Sequence, residues 1–261
     1  MQALLDAREQ ALHRIVKEAG AHALALFEDP AGLKISMKGA QDWLTHADGE
    51  VETLIRDALL KAFPEDSVMG EEQGGESGER LWIVDPIDGT ANFARQDRLW
   101  CLSVGFVLQG VPTLGVVFAP SLGEFYSARI GQGAQMNGKP IHVAQTDSID
   151  RSVVELGWST RRPRSTYLDL VTRSINQGAS VKRSASGALG MTHVAIGRTD
   201  CYAEVHINSW DVVAGLVIAQ EAGARCNAYA SGDWVHNGNP ILCAQPHLYD
   251  AYHTLFYPYF D

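Results

Sequence analysis

The feature that most constrains this chain is an apolar run that leads straight into a pair of acids. Leu81-Trp82-Ile83-Val84 has the composition of a buried strand, and Asp85-Pro86-Ile87-Asp88-Gly89-Thr90 follows it directly. Pro86 stiffens the turn, and Gly89 lets the backbone come close to a ligand. Two carboxylates beside buried backbone need compensation for their charge, which a bound metal ion supplies. The alternative is a surface turn capped by acids, since Asp-x-x-Asp alone is common in turns.

The first half of the chain combines helices with an antiparallel sheet. Apolar residues recur at three- and four-residue steps over 3–28 and 48–62, which predicts two amphipathic helices. The stretch 31–41 contains two glycines and little periodicity, so we expect a mobile loop there. Three apolar runs separated by turn residues predict successive antiparallel strands, at 101–108, 113–119 and 124–128.

The second half alternates strands with helices. The pattern predicts these elements in the order strand, helix, helix, strand, helix, at 153–156, 165–177, 187–197, 201–205 and 211–222. Such alternation is typical of α/β units. We therefore expect an α/β protein whose N-terminal half is α+β and whose C-terminal half is α/β. The boundary is placed after the Asn137-Gly138 turn and its following strand, which gives lobes at 1–145 and 146–261.

Composition narrows the classes of partner. The chain has 261 residues, of which 46% are hydrophobic, enough for a substantial core. Its 31 acidic and 21 basic residues give a net charge of -10, so a nucleic acid is not expected as a direct partner. The densest basic run, Arg161-Arg162-Pro163-Arg164, is short and is interpreted as a solvated loop.

Neither a zinc site nor a membrane span is indicated. The four cysteines form no C-x-x-C pair. The most apolar stretch, 99–120, is interrupted by Gln109-Gly110-Val111-Pro112, so two strands joined by a turn explain it better than a membrane helix. Charge appears as early as Asp6, unlike in a secretory signal, and we expect a cytoplasmic protein without membrane attachment.

Three further segments contribute acids. Gly70-Glu71-Glu72 alone is typical of a solvated loop, and Asp48 before an apolar helical pattern is typical of a helix cap. Asp211 opens another apolar helix, where an acid also stabilises the helix dipole. Each segment has this structural interpretation when it is considered singly.

Together, the four acidic segments resemble the inositol monophosphatase family of lithium-sensitive, magnesium-dependent phosphatases. The resemblance spans nearly the whole chain, and the two signature motifs of the family occur in the expected order around Asp85 and Asp211. It implies a layered αβαβα sandwich of the sugar-phosphatase type, a homodimer, and two to three Mg²⁺ ions per subunit.

The resemblance also implies roles for individual residues. Glu71, Asp85 and the carbonyl of Ile87 would hold one metal, and Asp85, Asp88 and Asp211 a second, with a third, weaker metal near Glu71. Thr90 and Asp48 would orient the attacking water, so that the catalytic set is Thr90, Asp48 and Glu71. Oxygen ligands without Cys or His suit a hard cation such as magnesium.

The substrate-binding set that the resemblance implies spans both halves, at Asp88, Gly89, Thr90, Ala185, Ser186, Gly187, Glu204 and Asp211. The amides of Gly89 and Thr90 would hold the phosphate, and Glu204 would accept a substrate hydroxyl. This chain has Ala185 where the family pattern has Gly, and Gly187 where it usually has Ala. These departures concern the choice of substrate and leave the metal chemistry intact.

The expected activity is therefore magnesium-dependent hydrolysis of a small phosphate monoester by metal-activated water, with myo-inositol monophosphate as the default substrate. Histidinol phosphate is an alternative, because Asp97 and Trp100 follow the motif and would help to shape a pocket for an amine or an imidazole. A second alternative, from a different class, is a regulatory partner of the transcription machinery.

Overall fold

A seven-stranded sheet forms the centre of the N-terminal half. The computed structural model describes residues 2–33, 35–39 and 42–260. In this sheet β3 and β4 are parallel and every other neighbouring pair is antiparallel. The strands lie side by side in chain order: β3 (Ser67–Gly70), β4 (Arg80–Asp88), β5 (Cys101–Leu108), β6 (Val111–Ala119), β7 (Glu124–Arg129), β8 (Ala134–Met136) and β9 (Lys139–Pro140).

A five-stranded mixed sheet forms the centre of the C-terminal half. Its order is β11-β10-β12-β14-β13, with β10 parallel to β11 and β12, and β14 antiparallel to β12 and β13. The strands are β10 (Val153–Leu156), β11 (Ser180–Lys182), β12 (Cys201–Ile207), β13 (Arg225–Cys226) and β14 (Asn239–Ala244). The division into lobes at residue 145 stays a proposal; it falls in the segment between the two sheets.

Helices cover both sheets and separate them. They are α1 (Gln2–Phe27), α2 (His46–Ala62), α3 (Thr90–Ala94), α4 (Arg164–Asn176), α5 (Gly187–Ala195), α6 (Ser209–Glu221), α7 (Trp234–Asn237) and α8 (Pro246–Leu255). Short 3₁₀ turns lie at Pro120–Leu122 and Ile149–Arg151. Among the residues that the structure describes, no helix is long and apolar enough to span a membrane.

Three apolar cores define the layers. The first joins α1 and α2 to one face of the large sheet, where Trp82 and Phe106 are fully buried. The second joins the opposite face to α5 and α6 and continues into the small sheet. The third packs α4 and α8 on the outer face of the small sheet. The order helix, sheet, helix, sheet, helix confirms the predicted αβαβα sandwich.

The middle layer requires glycine on the large sheet. A methyl group at Gly105 would lie 2.5 Å from Val213 Cγ1, and one at Gly115 would overlap the backbone carbonyl of Ala214. Because both glycines lack a side chain, α6 rests directly on β5 and β6. This close contact holds Asp211, in the first turn of α6, against the end of β4.

Most predicted elements are confirmed, but two expectations in the N-terminal half are wrong. Within 31–41 the expected loop contains strand β1 (Ile35–Gly39), which pairs antiparallel with β2 (Asp42–Thr45); positions 34, 40 and 41 lie outside the described residues. The residues of β1 form a strand because they pair with β2, although their local sequence pattern is weak. Strand β4 also continues past Val84 to Asp88, because a bulge accommodates Pro86 within the ladder.

Candidate active site

The end of β4 brings two of the predicted acids together with one from the other half. Asp85 and Asp88 lie in β4 on either side of the bulge in its pairing with β5. Asp211 lies in the first turn of α6. One carboxylate oxygen from each of these three acids lies within 4.8 Å of the other two. The fold therefore makes one acidic cluster from residues that are far apart in the chain.

The crowding of these carboxylates appears in their pKa values. Burial raises the pKa of Asp85 well above its usual range, and the negative charges of Glu71, Asp88 and Asp211 raise it further. Burial and the charge of Asp211 raise the pKa of Asp88 to about 7, although a hydrogen bond from Ser186 favours the charged form. Burial also raises the pKa of Asp211. A cation bound between the carboxylates would favour their ionised forms and oppose these upward shifts.

The donor set fits a hard divalent metal. Within the described residues, the cluster contains carboxylates only, without histidine or cysteine. Carboxylate and carbonyl oxygens are the ligands that magnesium prefers in proteins. The carbonyl oxygen of Ile87 lies at the same end of β4, 3.0 Å from Thr90 Oγ1. The carboxylates of Asp85, Asp88 and Asp211 can therefore hold a metal ion, and the Ile87 carbonyl stays a predicted ligand.

Glu71 lies in the loop that follows β3. Its backbone N–H donates to the carbonyl of Val84 at 3.1 Å, which fixes the loop beside β4. Its side chain is partly exposed and lines a cavity of about 400 Å³ together with Gly89 and Thr90. Its charge raises the pKa of Asp85, but Glu71 is not one of the three acids whose carboxylate oxygens lie within 4.8 Å of one another, so its role as a ligand stays a prediction.

The predicted pair of Asp48 and Thr90 is formed. Thr90 Oγ1 lies 3.0 Å from Asp48 Oδ1. The other carboxylate oxygen, Oδ2, accepts hydrogen bonds from the backbone nitrogen and hydroxyl of Thr45 at 2.8 and 2.7 Å. Burial raises the pKa of Asp48, while the hydrogen bonds from Thr45 and Thr90 oppose that shift. The Asp48 carboxylate thus has a fixed orientation and presents one oxygen to the Thr90 hydroxyl.

The expectation that Asp48 and Asp211 cap their helices needs correction. Thr45 is the N-cap of α2 and Asn208 that of α6, and each Asp is the third residue of its helix in a capping box. In this arrangement the acid accepts the backbone N–H of the cap. Only one oxygen of each carboxylate is needed for the cap, so the other remains available to the site.

Asp88 joins the two halves at the start of α5. Its Oδ2 accepts hydrogen bonds from Ser186 Oγ at 2.6 Å and from the Ala188 N–H at 2.7 Å, and its Oδ1 lies 3.3 Å from the Gly187 nitrogen. Ala185, directly before, has φ +63°. This left-handed backbone explains why the family pattern has Gly there, because a side chain disfavours it.

Glu204 is buried beside this segment. Its Oε2 accepts a hydrogen bond from the Tyr202 hydroxyl at 2.7 Å. Burial raises the pKa of Glu204 to about 8, and that hydrogen bond opposes the shift. Gly157 makes room for the carboxylate, since a methyl group at that position would overlap Glu204 Oε2. Glu204 lines a cavity of about 160 Å³ together with Asp88, Ser186, Gly187 and Asp211.

Sequence reasoning missed three residues of this cleft. Trp158 and Arg183 line both cavities, and the Arg183 guanidinium carbon lies 5.9 Å from the centre of a Trp158 ring. Glu155, 1% exposed, accepts a hydrogen bond from the Ser184 N–H at 2.8 Å and lies 2.9 Å from His193 Nδ1. The sequence did contain a signal for Glu155, because it is a charged residue within the apolar run of β10.

The proposed contribution of Trp100 to a substrate pocket is wrong. Its side chain is fully buried and packs against Phe27 and Phe93, with ring centres 5.3 and 4.8 Å away. Asp97 is exposed and accepts a hydrogen bond from the Leu99 N–H at 3.1 Å. Trp100 belongs to the core between α1 and the large sheet, where its indole removes neighbouring apolar side chains from water. Trp158 is the tryptophan that lines the cleft.

Comparisons with known proteins agree with this architecture. The profile of the Inositol monophosphatase family matches residues 5–259. The chain is 30% identical over 244 residues to the Nus factor SuhB of Escherichia coli K12, covering 91% of each protein. It is 37% identical over 208 residues to an inositol-1-monophosphatase of Synechocystis, covering 75% of this chain and 70% of the relative.

Solved structures show the same fold. The extragenic suppressor protein suhB of Bartonella henselae superposes with a TM-score of 0.88 at 26% identity, over 98% of this chain and 99% of the other. The profile match covers almost every residue between the first helix and the C-terminus, including all the acids of the cluster. The chain therefore belongs to the inositol monophosphatase family.

Proposed function

We propose that this protein hydrolyses a small phosphate monoester in a magnesium-dependent reaction, with myo-inositol monophosphate as the default substrate. The observation that carries the proposal is the convergence of Asp85, Asp88 and Asp211 within 4.8 Å of one another, beside the Asp48–Thr90 pair. Family membership supports a phosphatase, and the acidic cluster supports a metal-dependent one.

Glu71, Asp85 and the Ile87 carbonyl would hold one magnesium ion, and Asp85, Asp88 and Asp211 a second; a third would bind near Glu71. When bound, these ions supply charge neutralisation of the phosphate and a lower pKa for the attacking water. The protein contributes the placement of the ligands: β4 orients Asp85 and Asp88, and the contact of α6 with Gly105 and Gly115 orients Asp211.

Thr90 would position the attacking water. With its hydroxyl hydrogen donated to Asp48 Oδ1, the lone pairs of Thr90 Oγ1 can accept a hydrogen bond from a water molecule. Asp48 would then receive the proton: the water gives its proton to Thr90 Oγ1 as the Thr90 hydroxyl hydrogen passes to Asp48 Oδ1. The phosphate would lie in the larger cavity, where Gly89, Thr90 and Ala91 line the wall.

The leaving group would occupy the smaller cavity. Glu204 would accept a hydrogen bond from a hydroxyl of the substrate, and Ser186 and Gly187 would border the same space. Trp158 favours histidinol phosphate as a second candidate substrate. This tryptophan lines both cavities, and in the smaller cavity it is accompanied by Glu204. An aromatic face and a buried carboxylate suit a leaving group that carries a ring and an amine, as in histidinol phosphate.

A phosphate-release panel tests the activity and separates the two substrates. We expect magnesium-dependent turnover of myo-inositol monophosphate that EDTA abolishes, and that Asp85→Asn lowers by at least about 10²-fold. Asp57→Asn is the matched control, because Asp57 is exposed on α2. Faster turnover of histidinol phosphate would replace the default substrate. Activity of Asp85→Asn within a few-fold of the parent would refute the metal assignment.

A regulatory role is the alternative from another class, and the name of the E. coli relative, a Nus factor, supports it. It does not require acids at the metal positions, yet all of the predicted acids are present and three of them cluster, which favours catalysis. Homodimer formation and lithium inhibition are further proposals from the family. Equal turnover with and without added lithium would contradict the proposed inhibition.

A further inference from the structure

Glu71 is the one proposed metal ligand that lies in a loop outside the regular strands and helices. The loop leaves β3 at Gly70 and is closed by two hydrogen bonds, from the Gly70 N–H to the Gly74 carbonyl at 3.0 Å and from the Gly74 N–H to the Gly70 carbonyl at 3.1 Å. A ligand on a loop of this kind keeps its place only if other groups hold the loop. The residues that hold it are therefore of interest for metal binding.

A buried carboxylate on α2 fills that role. Glu52 is 0% exposed, and its side chain points into the loop. Its Oε2 accepts a hydrogen bond from the Glu72 N–H at 2.7 Å, and its Oε1 accepts one from the Gln73 N–H at 3.1 Å. Gly70 permits this approach, because a methyl group there would overlap the Glu52 carboxylate. The two backbone groups that follow Glu71 are thus bound by one side chain.

Arg56, one helical turn further along α2, completes the arrangement. Its Nη2 donates to Glu52 Oε1 at 3.0 Å and to the Gly74 carbonyl at 2.6 Å, and its Nη1 donates to the Val68 carbonyl at 3.0 Å. The guanidinium therefore neutralises the buried Glu52 charge and binds the chain on both sides of the loop. A buried carboxylate with this many partners specifies a single geometry.

The same helix carries Asp48, which holds Thr90. Asp48 and Glu52 are four residues apart, so they lie on the same face of α2. One side chain binds the threonine proposed to orient water, and the other binds the loop of a proposed metal ligand. Helix α2 is therefore the common support of both.

We infer that Glu52 and Arg56 are positioning residues for metal binding: they hold the Glu71 loop so that the Glu71 carboxylate faces Asp85. This inference rests on the proposed function for the identity of the metal site, but it concerns residues that do not touch the metal. Removal of such supporting partners typically lowers metal affinity by about 10- to 100-fold.

The test compares metal binding in Glu52→Gln with that in the parent, using Mn²⁺ as the probe and the electron paramagnetic resonance signal of free Mn²⁺ as the readout. In glutamine an NH₂ group replaces one of the two carboxylate oxygens. That group is a donor, so one of the backbone N–H groups of Glu72 and Gln73 loses its acceptor. We expect a Mn²⁺ dissociation constant raised by about 10- to 100-fold. Glu50→Gln is the matched control, since Glu50 lies on the same helix but is exposed, and its Oε2 lies 3.3 Å from His22 Nε2, away from the Glu71 loop.

A double-mutant cycle separates positioning from general stability. If Glu52 acts through Glu71, the variant with both Glu52→Gln and Glu71→Gln binds Mn²⁺ no more weakly than Glu71→Gln alone. If the losses of Mn²⁺ affinity from the two single variants multiply in the double variant, the inference is overturned. Mn²⁺ binding by Glu52→Gln that equals that of the parent would also overturn it. Parent protein that binds Mn²⁺ without hydrolysing phosphate esters would refute the proposed function and leave this inference standing.

Arg56→Lys covers the case in which Glu52→Gln does not fold. An ammonium group cannot bind the Val68 and Gly74 carbonyls and Glu52 in one planar arrangement, whereas the positive charge is kept. We expect folded protein, by its far-ultraviolet circular dichroism, with Mn²⁺ affinity lowered by at least about 3-fold. Unchanged affinity in Arg56→Lys, with the loss confined to Glu71→Gln, would overturn the inference.

Discussion

Ala185 offers a test of the structure at the proposed substrate cleft, because it is a non-glycine residue with φ +63°. The change Ala185→Gly removes the clash that a β-carbon makes in left-handed backbone, which costs about 1–2 kcal/mol. Glycine also gains freedom in the unfolded chain, which lowers stability by about 0.4–1 kcal/mol. With the central values of about 1.5 and about 0.7 kcal/mol, the net increase in the free energy of unfolding is about 0.8 kcal/mol.

For a domain of this size, such a gain corresponds to an increase in Tm of about 1–4 °C. The assay is thermal unfolding of the metal-free protein by circular dichroism, with Ala21→Gly as the control. Ala21 is exposed within α1, where glycine costs about 1 kcal/mol relative to alanine. The same chemical change should therefore shift Tm in opposite directions at the two positions.

A fall in Tm for Ala185→Gly, comparable to that of Ala21→Gly, would refute the argument from backbone strain. Activity gives a second readout, since Ala185 lines both cavities. Because glycine loosens the segment that leads into Ser186 and Gly187, we expect KM to rise by about 2- to 5-fold while the proposed dependence of activity on magnesium stays unchanged.

Three further outcomes are expected. In metal-free protein the pKa of Asp85 is higher in the folded state than its unfolded value of 3.8, so the free energy of unfolding falls as the pH rises above 3.8. Asp85→Asn removes this loss and should raise Tm more at pH 8 than at pH 5, by at least about 2 °C. Equal shifts of Tm at both pH values would contradict this. Thr90→Val should lower kcat by about 10²–10⁴-fold while Thr90→Ser retains most activity, which initial rates at saturating magnesium would measure; a parent-like kcat for the valine variant would exclude a role in orienting water. Gly157→Ala should displace Glu204 and raise KM for a polyol phosphate by about 10-fold but leave p-nitrophenyl phosphate turnover unchanged. Its control is Gly49→Ala, where an added methyl group meets no atom within 4 Å, and equal effects of both variants on KM would argue against the Glu204 contact.

Local pattern was sufficient for much of the secondary structure. The strands at 101–108 and 124–128 and the helix at 187–197 follow from runs of apolar residues with a clear period and flanking turn residues, which is short-range information. The weak pattern of 31–41 was insufficient, because the pairing of Ile35 with Thr45 depends on a partner segment.

The sequence by itself determined which acids are candidate ligands, Asp85, Glu71 and Asp211, because the continuous motifs around them together resemble those of one family, although each segment alone is typical of a turn, a loop or a helix start. Only the tertiary structure decided which tryptophan lines the cleft, Trp158 and not Trp100, and which buried acid holds the Glu71 loop. Both depend on which faces of distant segments meet, and no local period encodes that. Whether a buried charge is stabilised depends on the neighbours that packing brings beside it.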